Sequence, residues 1–359
     1  MDGSSLRRDQ YEVFIVDNAS ADGSLGFLIP LFPGFRFIQN NENTGFAKAN
    51  NLGLAHCTGE FVLFLNPDTI LSEDCLDSCL SFFRSTPDAG ALGLRMIDGS
   101  GNYLKESKRG FPSPQASFFK MSGLARLFPH SKIFSAYYMG HLREGSPQVV
   151  DILSGAFMMV RKKILDKTGG FDEQFFMYGE DIDLSFRISL SGHRNYYLPG
   201  ATIIHFKGES TRKDNRYIKM FYDAMELFLN KHFGGSHPTL RLFSLRLGVR
   251  IHRSLNHLHL PYKKNKMKSG ISRRVFVKGD PDAQWLLLQR LADNKVPVSK
   301  NEMDAEEIIY CEGPLLSWKS IMEEIAHNKK RFRFKFHGTA THSAVGSQSR
   351  LEPGDVFEL

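Results

Sequence analysis

Phe61-Val62-Leu63-Phe64-Leu65-Asn66-Pro67-Asp68-Thr69 is the stretch on which the fold turns. Five consecutive apolar residues are strand length, and the absence of polar alternation predicts a strand covered on both faces. Asn66-Pro67-Asp68 then ends it abruptly. Side chains at the carboxyl end of such a strand face the crevice where open α/β sheets bind ligands. An acid in that position is placed to hold Mg²⁺ or Mn²⁺ against a diphosphate. The same tripeptide also makes an ordinary tight turn, so its neighbours must decide.

Upstream, Tyr11–Val16 is a short β-rich run followed by the turn cluster Asp17–Gly23. A second strand is expected at Phe35–Gln39, and Thr44–Ala55 has the pattern of a helix with Gly45, Ala49 and Gly53 every fourth residue on one face. Small residues there permit close approach to a neighbour or a nucleotide. Downstream, a helix over Glu73–Ser85 and a strand over Ala89–Met96 continue the alternation, which argues for a mainly parallel α/β sheet with helices on both faces. Residues 99–150 are irregular and rich in Gly, Pro, Ser and aromatics, as an excursion that shapes a binding site would be. Order returns at Asp151–Val160, with helices near Lys162–Lys167, Asp181–Ser191 and Tyr217–His232 and a strand at Ala201–His205.

Two further clusters carry chemistry. Glu180, Asp181 and Asp183 put three carboxylates into four residues at a helix start. Helix N-termini favour acids in any case. The apolar run Phe175–Tyr178 before them adds a wall that raises a carboxylate's proton affinity and suits a general base. His205 closes a strand, and Lys207, Ser210 and Arg212 after it are donors suited to phosphate oxygens.

The chain has 359 residues and a formal charge of +7. That excess fits an anionic partner without selecting one. Nucleic acid is set aside, because the cations are not interleaved with stacking aromatics in a known module. The four cysteines are too few and too scattered for a disulfide framework, and Cys75 and Cys79 lack a second pair to complete a zinc site. No stretch approaches the roughly 20 apolar residues of a membrane span, and the first ten residues do not form a signal peptide. Between Leu240 and Arg274, apolar residues alternate with Arg, Lys and His, as in a basic amphipathic helix on an anionic membrane or one packed on its own domain. The order of elements after it predicts a small α/β unit. Three domains are therefore expected, at 1–235, 236–270 and 271–359.

The ordered set VDNASADGS (16–24), NENTGFAKANNLGLAHCTGEFVLFLNPDT (41–69), LSGAFMMVRKK (153–163), GGFDEQFFMYGEDIDLSFRISLSGH (169–193) and IIHFKGES (203–210) resembles the family 2 inverting glycosyltransferases, in particular their bacterial rhamnosyltransferase-like branch. The resemblance implies a GT-A fold and transfer from a dTDP- or UDP-sugar to a hydroxyl of a glycan or lipid-linked glycan, in surface polysaccharide synthesis. It further implies that Asp17 contacts the nucleotide base and that the Asn43–Asn50 segment, with Gly45, lines the nucleotide site. Asp68 is then the metal-binding acid, with Asn66 where many relatives carry a second Asp. Gly155 lies where sugar and acceptor approach the backbone, Asp181 is the catalytic base with Glu180 its alternative, and His205 is a late metal or diphosphate contact. The expected location is cytoplasmic, with peripheral contact at the inner face of the plasma membrane. One departure accompanies the match: family members carry a strand and helix before the VDNAS strand that are wanting here. The competing expectation is therefore a non-catalytic sugar-nucleotide-binding or scaffold protein with an open sheet edge.

Overall fold

The computed structural model describes residues 6–113, 115, 116, 119, 122–142, 145–206, 215–233, 273–328, 331–338, 341, 343–346 and 355–358. The chain opens with β1 (Phe14–Asp17), α1 (Ser24–Leu31), β2 (Arg36–Gln39) and α2 (Phe46–Leu54). β1 and β2 pair in parallel, with Phe14 opposite Arg36 and Asp17 opposite Gln39. The small face of α2 lies against this pair, where a Cβ on Gly53 would sit 3.2 Å from Val16. α1 has no expected counterpart, and none of its residues is fully buried.

A separate sheet forms the body. Its elements are β3 (Phe61–Leu65), β4 (Thr69–Leu71), α3 (Cys75–Ser85), β5 (Ala89–Ile97), α4 (Leu124–Leu127), β6 (Gln148–Val150), β7 (Phe157–Arg161), α5 (Lys162–Thr168), α6 (Glu180–Leu190), β8 (Arg194–His205) and α7 (Asn215–Phe233). The strand order is β3-β7-β5-β8-β4, with β6 also on β8. β3 is covered on both faces as its unbroken apolar run predicts. Val62 and Phe64 enter a core with Leu184 and Ile188 of α6, while Phe61 and Leu63 pack towards Cys79 and Phe83 of α3. Cys75 and Cys79 lie together as inert core thiols, both pushed up by burial.

The sheet is mixed rather than mainly parallel. β5 and β8 run parallel, but β3 with β7, β5 with β7, β4 with β8 and β6 with β8 are antiparallel. The excursion after β5 explains this for β7. It returns the chain at the end where β3 finishes, so that Phe157 starts opposite Leu65. A parallel neighbour would have needed a crossover back to the other end. Within the ordered stretch expected over 151–160 only residues 157–160 are strand, because residues 154–156 turn between β6 and β7.

The C-terminal elements are β9 (Val275–Gly279), α8 (Pro281–Asp293), β10 (Glu307–Cys311), α9 (Trp318–Asn328), β11 (Arg333–Gly338), β12 (Ser343–Gly346) and β13 (Asp355–Glu358). They form one sheet ordered β13-β12-β11-β10-β9. Asp280 caps α8 through the Asp282 amide at 3.1 Å, and Pro281 occupies the first turn, where a missing N–H is harmless. α9 seats this sheet on the body. Ile321, Met322 and Ile325 share a core with Ile97, Ile204 and Phe206. The Glu73 carboxylate accepts from the Trp318 and Lys319 amides at 2.6 and 3.1 Å, capping α9 from the other unit. The basic stretch expected at 236–270 lies outside the described residues.

Candidate active site

Three element ends are linked to the turn at 154–156, two of them by direct hydrogen bonds and the third through the Asn43–Phe46 loop. The first is the end of β3. The Asn66 amide donates to the Ala156 carbonyl at 3.0 Å, and Thr69 Oγ1 donates to the Asn66 carbonyl at 2.7 Å. Asp68 is thereby turned back beside the last residue of β8, since Thr69 pairs with His205 and the Phe206 amide donates to the Asp68 carbonyl at 3.0 Å. His205 Nε2 lies 3.4 Å from Asp68 Oδ1, and both side chains are nearly buried. Asn66 Oδ1, Asp68 Oδ1 and His205 Nδ1 are buried with no hydrogen-bond partner. Buried polar atoms are rarely left unmatched without a reason. Oxygen ligands beside an imidazole, two of them orphaned, fit a divalent cation that takes its other ligands from a substrate and water. Among the described residues no group of three or more His, Cys, Asp or Glu forms a closed metal cage.

The second end is the start of α6, where the three clustered acids prove to have three different environments. Asp183 is completely buried and accepts from Arg187 Nε at 2.7 Å, Lys231 Nζ at 2.8 Å and His232 Nε2 at 2.6 Å. It ties α7 to α6. Glu180 is buried with Oε2 unpartnered. Burial, and then the neighbouring Asp181 charge, push its carboxyl up to about 8. The raised proton affinity expected of this cluster thus falls on Glu180. Asp181 faces the turn, where its Oδ2 accepts from the Gly155 amide at 3.3 Å and its Oδ1 from the Ile182 amide at 2.8 Å. A Cβ on Gly155 would lie 3.6 Å from both the Asp181 side chain and the Phe46 ring. Before the helix, Tyr178 and Gly179 both take positive φ, 71° and 86°. A tyrosine in that region is strained by about 1–3 kcal/mol, as occurs at sites whose geometry is held by their surroundings.

Asp181 also has a partner that the sequence did not disclose. Arg109, from the excursion, donates through Nη2 to Asp181 Oδ2 at 2.5 Å and to the Leu153 carbonyl at 2.8 Å. Burial works against the guanidinium charge, and Asp181 with Tyr137 more than offsets it, so the charge is held.

The third end is β1. Asp17 is buried and accepts from the Ser20 amide at 3.2 Å. Asn18 organises the loop, a role its place in a turn cluster did not reveal. Its Nδ2 donates to Asn43 Oδ1 at 2.9 Å and the Gly45 carbonyl at 3.2 Å, while its Oδ1 accepts from the Thr44 amide and Asn40 Nδ2, both at 3.0 Å. Gly45 takes φ of 87°, and a Cβ would meet the Phe176 carbonyl at 2.5 Å, so only glycine fits. The Asn50 amide is turned onto its own helix, donating to the Phe46 carbonyl at 2.9 Å. It is Asn51 that reaches outward, exchanging hydrogen bonds with Phe171 at 2.8 and 2.9 Å. Lys207 and Ser210 lie outside the described residues.

Comparison with known proteins gives the family. The family model described as Glycosyl transferase family 2 matches residues 4–169. The chain is 30% identical over 255 residues to an N-acetylglucosaminyl-diphospho-decaprenol L-rhamnosyltransferase of Mycobacterium tuberculosis, covering 67% of this chain and 82% of that protein. It is 31% identical over 213 residues to rhamnosyltransferase WbbL of Escherichia coli K12, covering 57% of this chain and 76% of that protein. Among solved structures, the mannosyltransferase PcManGT of Pyrobaculum calidifontis, in complex with GDP-Man and Mn²⁺, aligns with a TM-score of 0.43 and 17% identity over 71% of this chain and 64% of that one. The chain is a GT-A-type glycosyltransferase of family 2, in the rhamnosyltransferase-like branch.

Proposed function

We propose that this enzyme moves a sugar from a nucleoside-diphosphate donor, a dTDP- or UDP-sugar, to a hydroxyl of a glycan or lipid-linked glycan, with inversion. The observation that carries the reading is the 154–156 turn, whose Ala156 holds the Asn66–Asp68 end while Gly155 holds Asp181.

The chemistry assigned to each group follows from its surroundings. The Asn18-centred loop shapes the nucleotide end beside Asp17. Asp68 and His205 are the residues that would hold Mg²⁺ or Mn²⁺, with Asn66 beside them. Such a cation, when bound, supplies positive charge to the diphosphate leaving group. Asp181 takes the proton from the acceptor hydroxyl. The freed oxygen bonds to the anomeric carbon as the bond to the nucleoside diphosphate breaks on the opposite face. Arg109 keeps Asp181 oriented for that transfer. Glu180 retains its own proton near neutral pH, so it is less suited to the role.

Asp181→Asn is expected to lower transfer by about 100-fold or more, with donor affinity unchanged by calorimetry. Asp68→Ala is expected to remove the Mn²⁺ dependence of nucleoside-diphosphate binding. Normal transfer by the first variant, or chelator-insensitive binding by the wild type, would end the assignment.

A further inference from the structure

The excursion that supplies Arg109 also carries a surface tip over residues 126–133. We propose that this tip seats the enzyme on an anionic lipid bilayer by inserting Leu127, Phe128 and Ile133 at the headgroup boundary. The inference rests on the reading that the acceptor glycan is lipid-linked, and it concerns residues other than the basic 240–274 stretch.

Three observations carry it. The first is exposure: Leu127, Phe128 and Ile133 are 72%, 51% and 59% exposed within seven residues. Large apolar side chains gathered on one projection mark an interaction site rather than ordinary surface. The second is charge. From Ser107 to Arg143 the sequence holds six Lys and Arg and no Asp or Glu. On the tip, Arg126 and Lys132 are exposed, and neither has an ion-pair partner among the described residues. Apolar residues flanked by unpaired cations complement an anionic headgroup layer over an acyl layer. The third is rigidity. The Phe128 amide donates to the Leu124 carbonyl at 2.9 Å, and His130 Nδ1 lies 3.3 Å from the Gly140 carbonyl. Gly140 packs directly beneath Pro129, where a Cβ would meet the Pro129 carbonyl at 1.8 Å. Phe134 backs the Phe128 ring at 5.2 Å between centroids. The apolar side chains are thus held outward by a fixed base.

That base leads to the active site. The Gly110 amide donates to the Tyr137 carbonyl at 2.9 Å, and Arg109 next to it holds Asp181. A seated tip would therefore be joined to the Asp181 carboxylate through Tyr137, Gly110 and Arg109.

The test uses the full chain with vesicles of phosphatidylglycerol and phosphatidylcholine, and of phosphatidylcholine alone. Phe128→Trp is expected to show a blue-shifted emission quenched by brominated acyl chains, above the background of Trp285 and Trp318 measured in the wild type. The triple change Leu127→Ser, Phe128→Ser and Ile133→Ser is expected to lower binding to the anionic vesicles by at least about tenfold, as is Arg126→Glu with Lys132→Glu. These side chains are exposed, so unchanged circular dichroism should accompany the loss. An unshifted emission from the Phe128→Trp variant, or a triple variant that binds like the wild type, overturns the proposal. So does a lipid-free dimer, seen by sedimentation velocity and abolished by the triple change, since the tip would then contact a second copy. Nucleoside-diphosphate binding and transfer to a lipid-free acceptor are read in parallel. If the wild type shows both yet binds no vesicles, the tip proposal alone falls; if the wild type shows neither, the transferase reading falls.

Discussion

Asp183→Asn keeps the volume of the side chain and removes its charge. The loss is large because Asp183 is 0% exposed and receives three hydrogen bonds, from Arg187, Lys231 and His232. Removing one partner of a buried ion pair costs about 3–5 kcal/mol. Some of that is recovered here. Arg187 keeps its bonds to the Thr168 and Gly170 carbonyls at 2.6 and 2.7 Å, and Lys231 keeps Asp172 at 2.5 Å. His232 is left with only an amide to face. We therefore expect about 3 kcal/mol of destabilisation, or about 6–10 °C in Tm, from the usual slope for a domain of this size. Urea denaturation at pH 7 measures it. Donor binding by the folded fraction should be unchanged, because Asp183 faces α7 rather than the 154–156 turn. Two acids two residues apart thus have opposite expected phenotypes: Asp183 for stability, Asp181 for turnover. A destabilisation below about 1 kcal/mol, or a loss of turnover with full stability, would refute the division.

Three further outcomes are expected. Folded Glu180 holds its proton up to about pH 8 against an ordinary value of 4.5, so its stabilising contribution is complete below pH 4.5 and is lost as pH rises to 8. Glu180→Gln should therefore match the wild type in urea melts below pH 4.5, exceed it increasingly up to about pH 8 and by a constant amount above that; a constant difference between pH 4.5 and 8 would contradict the burial argument. Arg109→Met should cut transfer by about tenfold or more with donor affinity retained, and Arg109→Lys should restore part of it, because lysine returns the charge without the guanidinium fork; equal activity of all three would sink the orienting role. Glu73→Gln weakens the cap on α9 and should cost about 1 kcal/mol, seen as faster tryptic cleavage between residues 273 and 328; unchanged cleavage would show that the apolar core alone holds that unit.

What the sequence disclosed and what it hid have physical reasons. The Phe61–Leu65 strand, the turn at Asp68 and the strand ending at His205 were legible because apolar runs and their terminators are local signals. β10, Glu307–Cys311, is an apolar run legible for the same reason. β8 extends seven residues upstream of the expected Ala201, to Arg194, because its pairing with β5 overrides Pro199 and Gly200 through a register shift. Strand direction was misjudged because it depends on where the 99–150 excursion delivers the chain, which no periodicity encodes. Arg109 was missed because its partner lies 72 residues away. The absence of acids from Ser107 to Arg143 was the available hint that this segment serves a negative partner. Asn18 and Asn51 act through backbone groups of distant loops, and asparagine in a turn or helix gives no warning of that.

The shared core of Phe206, Ile204 and Ile97 with Phe336 and Tyr310 makes the C-terminal sheet a neighbour of the strand end at His205. Phe206 follows His205 directly and bonds the Asp68 backbone. Any crevice occupant whose binding shifts the seating of that sheet must itself be bound more or less tightly by the same free energy as the sheet seats, since such linkage is reciprocal. The tail would then gauge the crevice: were nucleotide such an occupant, it would shield the tail from proteases, and clipping the tail would loosen it.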